Sequence, residues 1–183
     1  MRNNTELLDK IKNAIAPEYQ LPDVSCLTEK NIDSKGNDFI MKVEIRSRKG
    51  LDILICRFDT QKDLFPYFQN KTGYKKNCDY IVFAENATNL YVFLVELKNT
   101  TTSPKTQLNI SKPLFAEFLI SRIEAVAGSA AKEIVFRMIG IKEKARFCKS
   151  TTKGFVDEYT FDDDGYLLLP RKDYMDLDKL INN

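Results

Sequence analysis

Asp79, Glu96 and Lys98 are the residues whose types and spacing can do chemistry. An unbroken apolar and aromatic run, Leu90 to Val95, leads directly into Glu96-Leu97-Lys98. A strand that is apolar on both faces is usually central in its sheet. Side chains alternate along it, so Glu96 and Lys98 share one face and Leu97 points to the other. A carboxylate and an ammonium at the end of a buried strand are costly unless they are paired or bound to a metal. Upstream, Cys78 to Ala84 reads as a second short apolar strand with Asp79 near its start, and Asn86-Ala87-Thr88-Asn89 reads as the turn between the two. If that turn is symmetric, Glu85 faces Leu90, Ala84 faces Tyr91, Tyr80 faces Val95, and Asp79 lies opposite Glu96. Directly opposed residues of an antiparallel pair hold their Cβ atoms about 5 Å apart on one face. Two carboxylates there repel unless one takes a proton or a cation sits between them, and a hard divalent cation with oxygen ligands removes the conflict. Lys98, one pleat further along, then stands where it contacts a phosphate or orients an attacking water.

The elements that must hold this trio follow from the apolar pattern. Thr5 to Ile15 reads as an amphipathic helix with Leu7, Leu8, Ile11 and Ile15 on one face, and Pro17 and Pro22 bound a loop after it. Phe39–Ile45 and Leu51–Phe58 read as strands that form a hairpin around the basic turn Arg46-Ser47-Arg48-Lys49-Gly50. Thr60–Asn70 reads as a short helix. After Lys98 a polar loop leads to Pro104, which suits a helix start, and apolar periodicity runs from Leu108 to about Val126. Glu133–Ile141 and Tyr166–Leu169 read as strands, and Tyr174–Ile181 as a closing helix. This order predicts an α/β fold with one mixed central β-sheet flanked by helices, and a single domain over residues 1–183.

Composition narrows the chemistry. The 183 residues are 43% hydrophobic and 30% charged, with a net charge of +2, a balance that neither requires nor forbids a nucleic-acid partner. There is no histidine, which excludes Ser-His-Asp and Cys-His catalysis and histidine-based zinc sites. No GxxxxGK[ST] or GxGxxG loop is present. Cys26, Cys56, Cys78 and Cys148 lack the short spacings of zinc or redox motifs and read as reduced thiols. No apolar run approaches the roughly 20 residues that span a bilayer, so no membrane partner and a cytoplasmic location are the default expectations.

The order Asp79, hairpin, Glu96-Leu97-Lys98, helix resembles the PD-(D/E)xK superfamily of restriction-endonuclease-like nucleases, over roughly Asp79 to Val126. Cys78 stands where the family has proline. The resemblance implies a restriction-endonuclease-like core in which Asp79 and Glu96 ligate Mg²⁺ (or Mn²⁺) and Lys98 assists the nucleophile or the scissile phosphate. It also offers Glu6, on the first helix, as a further metal ligand, and Gln107, on the helix after the lysine strand, as a further catalytic residue. The implied activity is metal-dependent hydrolysis of phosphodiester bonds, in defence or repair. The implied partner is nucleic acid, DNA before RNA, with a second copy of the chain or a partner protein where two strands are cut. Phosphate contacts would come from Arg46, Arg48 and Lys49, from Lys71, Lys75 and Lys76, and from Lys105 and Lys112.

Plainer readings stand beside these. The trio also fits a structural Lys98–carboxylate pair at a strand end. Glu6 also fits a helix N-terminal charge favoured by the dipole, and Gln107 an exposed helix position. The basic clusters also fit solvated surface. Glu44 reads as facing outward. Asp162-Asp163-Asp164-Gly165 reads as a turn, and Tyr67, Tyr74 and Tyr80 as core or rim aromatics. On the whole chain, the alternatives are a non-catalytic module on the same fold, binding protein or nucleic acid, and an unrelated α/β interaction protein in which Asp79 and Glu96 do not converge.

Overall fold

The computed structural model describes residues 7–23, 25–32, 38–47, 51–59, 69, 75–98, 102–128, 132–142, 159–170 and 174–182. In chain order they form α1 (Leu7–Ala14), β1 (Cys26–Ile32), β2 (Asp38–Arg46), β3 (Asp52–Arg57), β4 (Tyr80–Glu85) and β5 (Asn89–Lys98). There follow α2 (Lys105–Ser111), α3 (Phe118–Ala127), β6 (Glu133–Lys142), β7 (Tyr166–Pro170), β8 (Tyr174–Asp176) and α4 (Leu177–Ile181). Between α2 and α3 the helix widens into a π-helical segment, Lys112–Glu117. The widening takes in Pro113, whose missing N–H cannot serve an α-helical bond. The predicted helix at Thr60–Asn70 lies outside the described residues, apart from Gln69.

The mixed α/β class is as expected, but the single central sheet is not. There are two mixed sheets. One has five strands in the order β3-β4-β5-β6-β7, and the other has three in the order β1-β2-β8. The strands expected at Phe39–Ile45 and Leu51–Phe58 are present as β2 and β3, yet they do not form a hairpin. β2 pairs with β1 and, in parallel, with β8, whereas β3 pairs with β4. Their burial explains the separation. β2 alternates, with Met41 and Val43 buried and Ile40, Lys42 and Glu44 exposed, so one face is in water. β3 buries Leu54, Ile55 and Cys56 in succession, as an element covered on both faces must. β1 has no counterpart among the expected elements, and the closing helix begins as a strand: Tyr174–Asp176 joins β2 before Asp176 caps α4.

Alternation along β4 and β5 distributes the core between two faces. Ile81, Phe83, Leu90, Val92 and Leu94 pack with Leu7 and Ile11 of α1, Leu108 of α2 and Ile120 of α3. Tyr80, Val82, Phe93 and Val95 pack instead with Leu27, Met41 and Val43 of the smaller sheet and with Leu177 and Leu180 of α4. β5 is therefore covered by helices on one side and by strands on the other. Each of its fully buried large side chains contributes roughly 1.5–3 kcal/mol. The β4–β5 turn is held by Asn86. Its backbone N–H donates to Asn89 O at 3.0 Å, and its Oδ1 accepts from the N–H groups of Thr88 at 3.0 Å and Asn89 at 2.8 Å.

Gly140 of β6 pairs with Glu96 and so lies beside the end of the chemistry-bearing strand. A Cβ there would collide with the ring of Pro104 and come within 2.9 Å of the Tyr166 hydroxyl. The missing side chain lets the residue preceding α2 lie against the sheet. Gly140→Ala is expected to lower unfolding free energy by about 1–3 kcal/mol, the usual cost of overpacking. Urea titration checks this, and an unchanged midpoint would show that Pro104 yields freely.

Candidate functional site

The register anticipated from the turn is the one observed: Glu85 faces Leu90, Ala84 faces Tyr91 and Tyr80 faces Val95. Asp79 stands one residue before Tyr80, level with Glu96. There the backbone ladder gives way to a side chain, and Asp79 Oδ2 accepts the Leu97 N–H at 2.7 Å. Asp79 is buried and Glu96 wholly so. Lys98 Nζ is ion-paired with Glu96 Oε1, while Glu96 Oε2 has no hydrogen-bond partner among the described residues.

Gln107 joins this group from α2. Its Oε1 accepts from Lys98 Nζ at 3.4 Å, and its Nε2 donates to the carbonyl of Asn77. One turn later Ser111 Oγ accepts the Cys78 N–H at 2.8 Å and donates to Gln107 O at 2.9 Å. The segment that delivers Asp79 is thus bonded to the helix that follows Lys98. Gln107 is half-buried and bridging, so it is not simply an exposed helix residue.

Sequence reasoning missed two further acids. Glu29 of β1 and Asp59, two residues past β3, bring carboxylate oxygens to Asp79, and the three groups lie within 4.8 Å of one another. Glu29 is held by Arg57 of β3, whose Nη2 reaches Glu29 Oε2 at 3.4 Å. The usable signal was a carboxylate on the same side of its strand as the buried Leu27, which a solvated surface does not require. It went unread because the polar stretch around it does not alternate like a strand.

The other candidates sort as follows. Glu6, Arg48, Lys49, Tyr67, Lys71 and Tyr74 lie outside the described residues. Arg46 is exposed, paired with Glu44 at 3.0 Å and stacked over Tyr174, and Glu44 faces outward as expected. Lys105 is engaged by Asp162 and Asp164, both at 2.8 Å. The acidic run there forms a turn, with Asp162 Oδ1 accepting the N–H groups of Asp164 and Tyr166. Lys112 lies 4.0 Å from Glu117. Tyr80 is a core residue that exchanges hydrogen bonds with the backbone of Thr28. Burial pushes the Cys56 thiol up to about 12 and raises Cys78 as well, so neither is a nucleophile near neutral pH.

Electrostatics follow from burial. Desolvation, then the charge of Glu96, raises the Asp79 carboxyl, against the lowering effect of the Leu97 N–H. Desolvation raises Glu96 against the opposing effect of Lys98. Desolvation also raises Glu29, with Arg57 opposing. Burial alone would lower the Lys98 ammonium, but its pairing with Glu96 outweighs this and holds it above its ordinary range. An all-oxygen set of crowded carboxylates, buried at Asp79 and Glu96, half-buried at Glu29 and exposed at Asp59, fits a hard divalent cation. No protein-family model, curated protein or solved structure matches this chain.

These shifts set a pH dependence. A carboxyl raised in the folded state binds its proton more tightly folded than unfolded. Its stabilising contribution is therefore complete below the unfolded pKa of about 4 and is lost as pH rises through the folded value. In EDTA the protein is expected to lose stability from about pH 4 towards neutrality. Asp79→Asn should flatten that loss by about 1 kcal/mol or more, the equivalent of roughly one pKa unit. Chemical denaturation across pH measures it, and parallel profiles for the two proteins would refute the assignment.

Proposed function

We propose that this chain is a metal-dependent nuclease of the PD-(D/E)xK type, in which Asp79 and Glu96 hold Mg²⁺ or Mn²⁺ and Lys98 serves the reacting phosphate. The observation that carries this reading is Asp79 level with Glu96 across the β4–β5 pair and Lys98 ion-paired with Glu96, whose Oε2 is buried without a hydrogen-bond partner among the described residues. The antiparallel β4–β5 pair followed by α2 agrees with the order that suggested the family. Gln107 on α2 is bonded to Lys98, in keeping with its suggested place beside the lysine. No helix among the described residues is long and apolar enough to cross a membrane.

The bound cation would polarise a phosphoryl oxygen and lower the pKa of a water. Asp79 and Glu96 would orient that cation through oxygens already fixed by Leu97 N–H and by the sheet. Lys98 would release Glu96 to the cation and stabilise negative charge as it develops on phosphate. Gln107 would keep the ammonium on the correct side. DNA is the first substrate to test, and a second copy of the chain is the simplest route to cutting both strands.

A second reading, a non-catalytic module on the same fold, draws on the Glu96–Lys98 ion pair, which neutralises both groups without a metal. Plasmid, single-stranded DNA and RNA incubated with Mg²⁺ or Mn²⁺ separate the two. The nuclease reading expects EDTA-sensitive cleavage that Asp79→Ala and Lys98→Ala each reduce by roughly a hundredfold or more, in the range for losing a charge-stabilising group. Gln107→Ala, which removes only a positioning contact, should cost roughly tenfold. Cleavage that persists unchanged in the Asp79 and Lys98 variants would overturn it.

A further inference from the structure

The acids brought to Asp79 from outside the β4–β5 hairpin have no role in the reading above. Glu29 belongs to the smaller sheet, and Asp59 follows β3 of the larger one, so the cluster lies where the two sheets meet. Beside it stands a second mark of a missing ligand: Glu96, fully buried and ion-paired with Lys98 through Oε1, whose Oε2 has no hydrogen-bond partner among the described residues and whose charge is felt at Asp79, as that of Asp59 is at Glu96. Among the described residues, Lys98 and Arg57 are the cationic side chains ion-paired with these acids, at Glu96 and at Glu29. Among the described residues, Arg57 engages a single oxygen of Glu29. An octahedral cation with bonds near 2.1 Å spaces its ligand oxygens by roughly 3–4 Å. Glu29, Asp59 and Asp79 already lie within 4.8 Å of one another, and Glu96, outside that group of three, would have to turn towards it. With no histidine in the chain and the nearby Cys56 and Cys78 buried as thiols, the donors are all oxygen, the preference of Mg²⁺ and Mn²⁺.

We infer that Glu29 and Asp59 are further ligands of the divalent cation held by Asp79 and Glu96, so that the cation clamps the smaller sheet to the larger. The inference rests on the reading of Asp79 and Glu96 as cation ligands. It adds the residues that complete the coordination and ties the placement of β1 to cation binding.

Titration of the full chain with Mn²⁺ alone, by calorimetry and by the loss of the free Mn²⁺ resonance signal, tests it without nucleic acid. Glu29→Gln and Asp59→Asn should each weaken Mn²⁺ binding about tenfold or more and shrink the rise in Tm that Mn²⁺ gives the wild type. In EDTA the Asp59→Asn protein should melt at or above the wild-type temperature, because a repelling charge has gone. A purely structural Glu29–Arg57 pair predicts a different result: Glu29→Gln lowers Tm in EDTA and leaves Mn²⁺ affinity as it was. Unchanged affinity in both variants, with binding abolished by Asp79→Asn, would overturn this inference and leave the nuclease reading standing. The expected losses in a protein that cleaves no nucleic acid would support the ligand set and sink the nuclease reading instead. Absence of Mn²⁺ binding to the wild type would overturn both.

Discussion

A carboxylate taken wholly out of water is among the most expensive groups a protein can bury, and Glu96 sits near the end of β5, a strand buried over most of its length. Much of its neighbourhood can be understood as a response to that cost. Lys98, on the same strand and face, supplies the opposite charge. Gln107 restrains Lys98 and ties it to the Asn77 carbonyl, and Ser111 fixes the next residue, Cys78. Asp79 gives one oxygen to the Leu97 N–H, so the end of the β4–β5 ladder is closed by a side chain. Gly140, bare of any side chain, admits Pro104 and hence the start of α2 to the same spot. The compensation is incomplete, since one oxygen of Glu96 has no hydrogen-bond partner among the described residues. Incomplete compensation in an otherwise well-packed core is a common mark of a working site, where local rules are broken for chemistry.

The parts of the site that were legible in the sequence were those governed by short-range geometry. Alternation in β5 put Glu96 and Lys98 on one face, and a four-residue turn set the register that levels Asp79 with Glu96. Helix α1 was legible because its apolar residues repeat at helical spacing, and Leu7, Leu8, Ile11 and Ile15 are all buried. What could not be read locally was strand partnership. β2 and β3 are neighbours in sequence with a basic turn between them, yet their unlike burial places them in different sheets. β1 carries Thr28, Glu29, Lys30 and Asn31, a polar run whose strand character depends on pairing with β2. Glu29 and Asp59 were invisible for the same reason: their meeting with Asp79 is a product of how two sheets stack.

That stacking also explains the role of Tyr80. Its ring lies in the core between the sheets, its hydroxyl exchanges hydrogen bonds with the Thr28 backbone, and the Arg57 guanidinium lies 5.5 Å from its centroid. Thr28 is the residue before Glu29, and Arg57 is the partner of Glu29. One aromatic side chain therefore fixes both the backbone and the counter-charge that present Glu29 to the acidic cluster.

The turn capped by Asn86 has a consequence for how a sequence like this one can drift. Because strand side chains repeat every second residue, the turn works as a parity counter. Ala87 and Thr88 are exposed, and letters there can change with little effect on the core. Their number cannot. One residue more or less, carried through the pairing, would take Asp79 from its place opposite Glu96 and push Tyr80 and Val82 towards the helices. Core and chemistry would fail together. The tolerance of this hairpin is thus lopsided, permissive of spelling and strict about length.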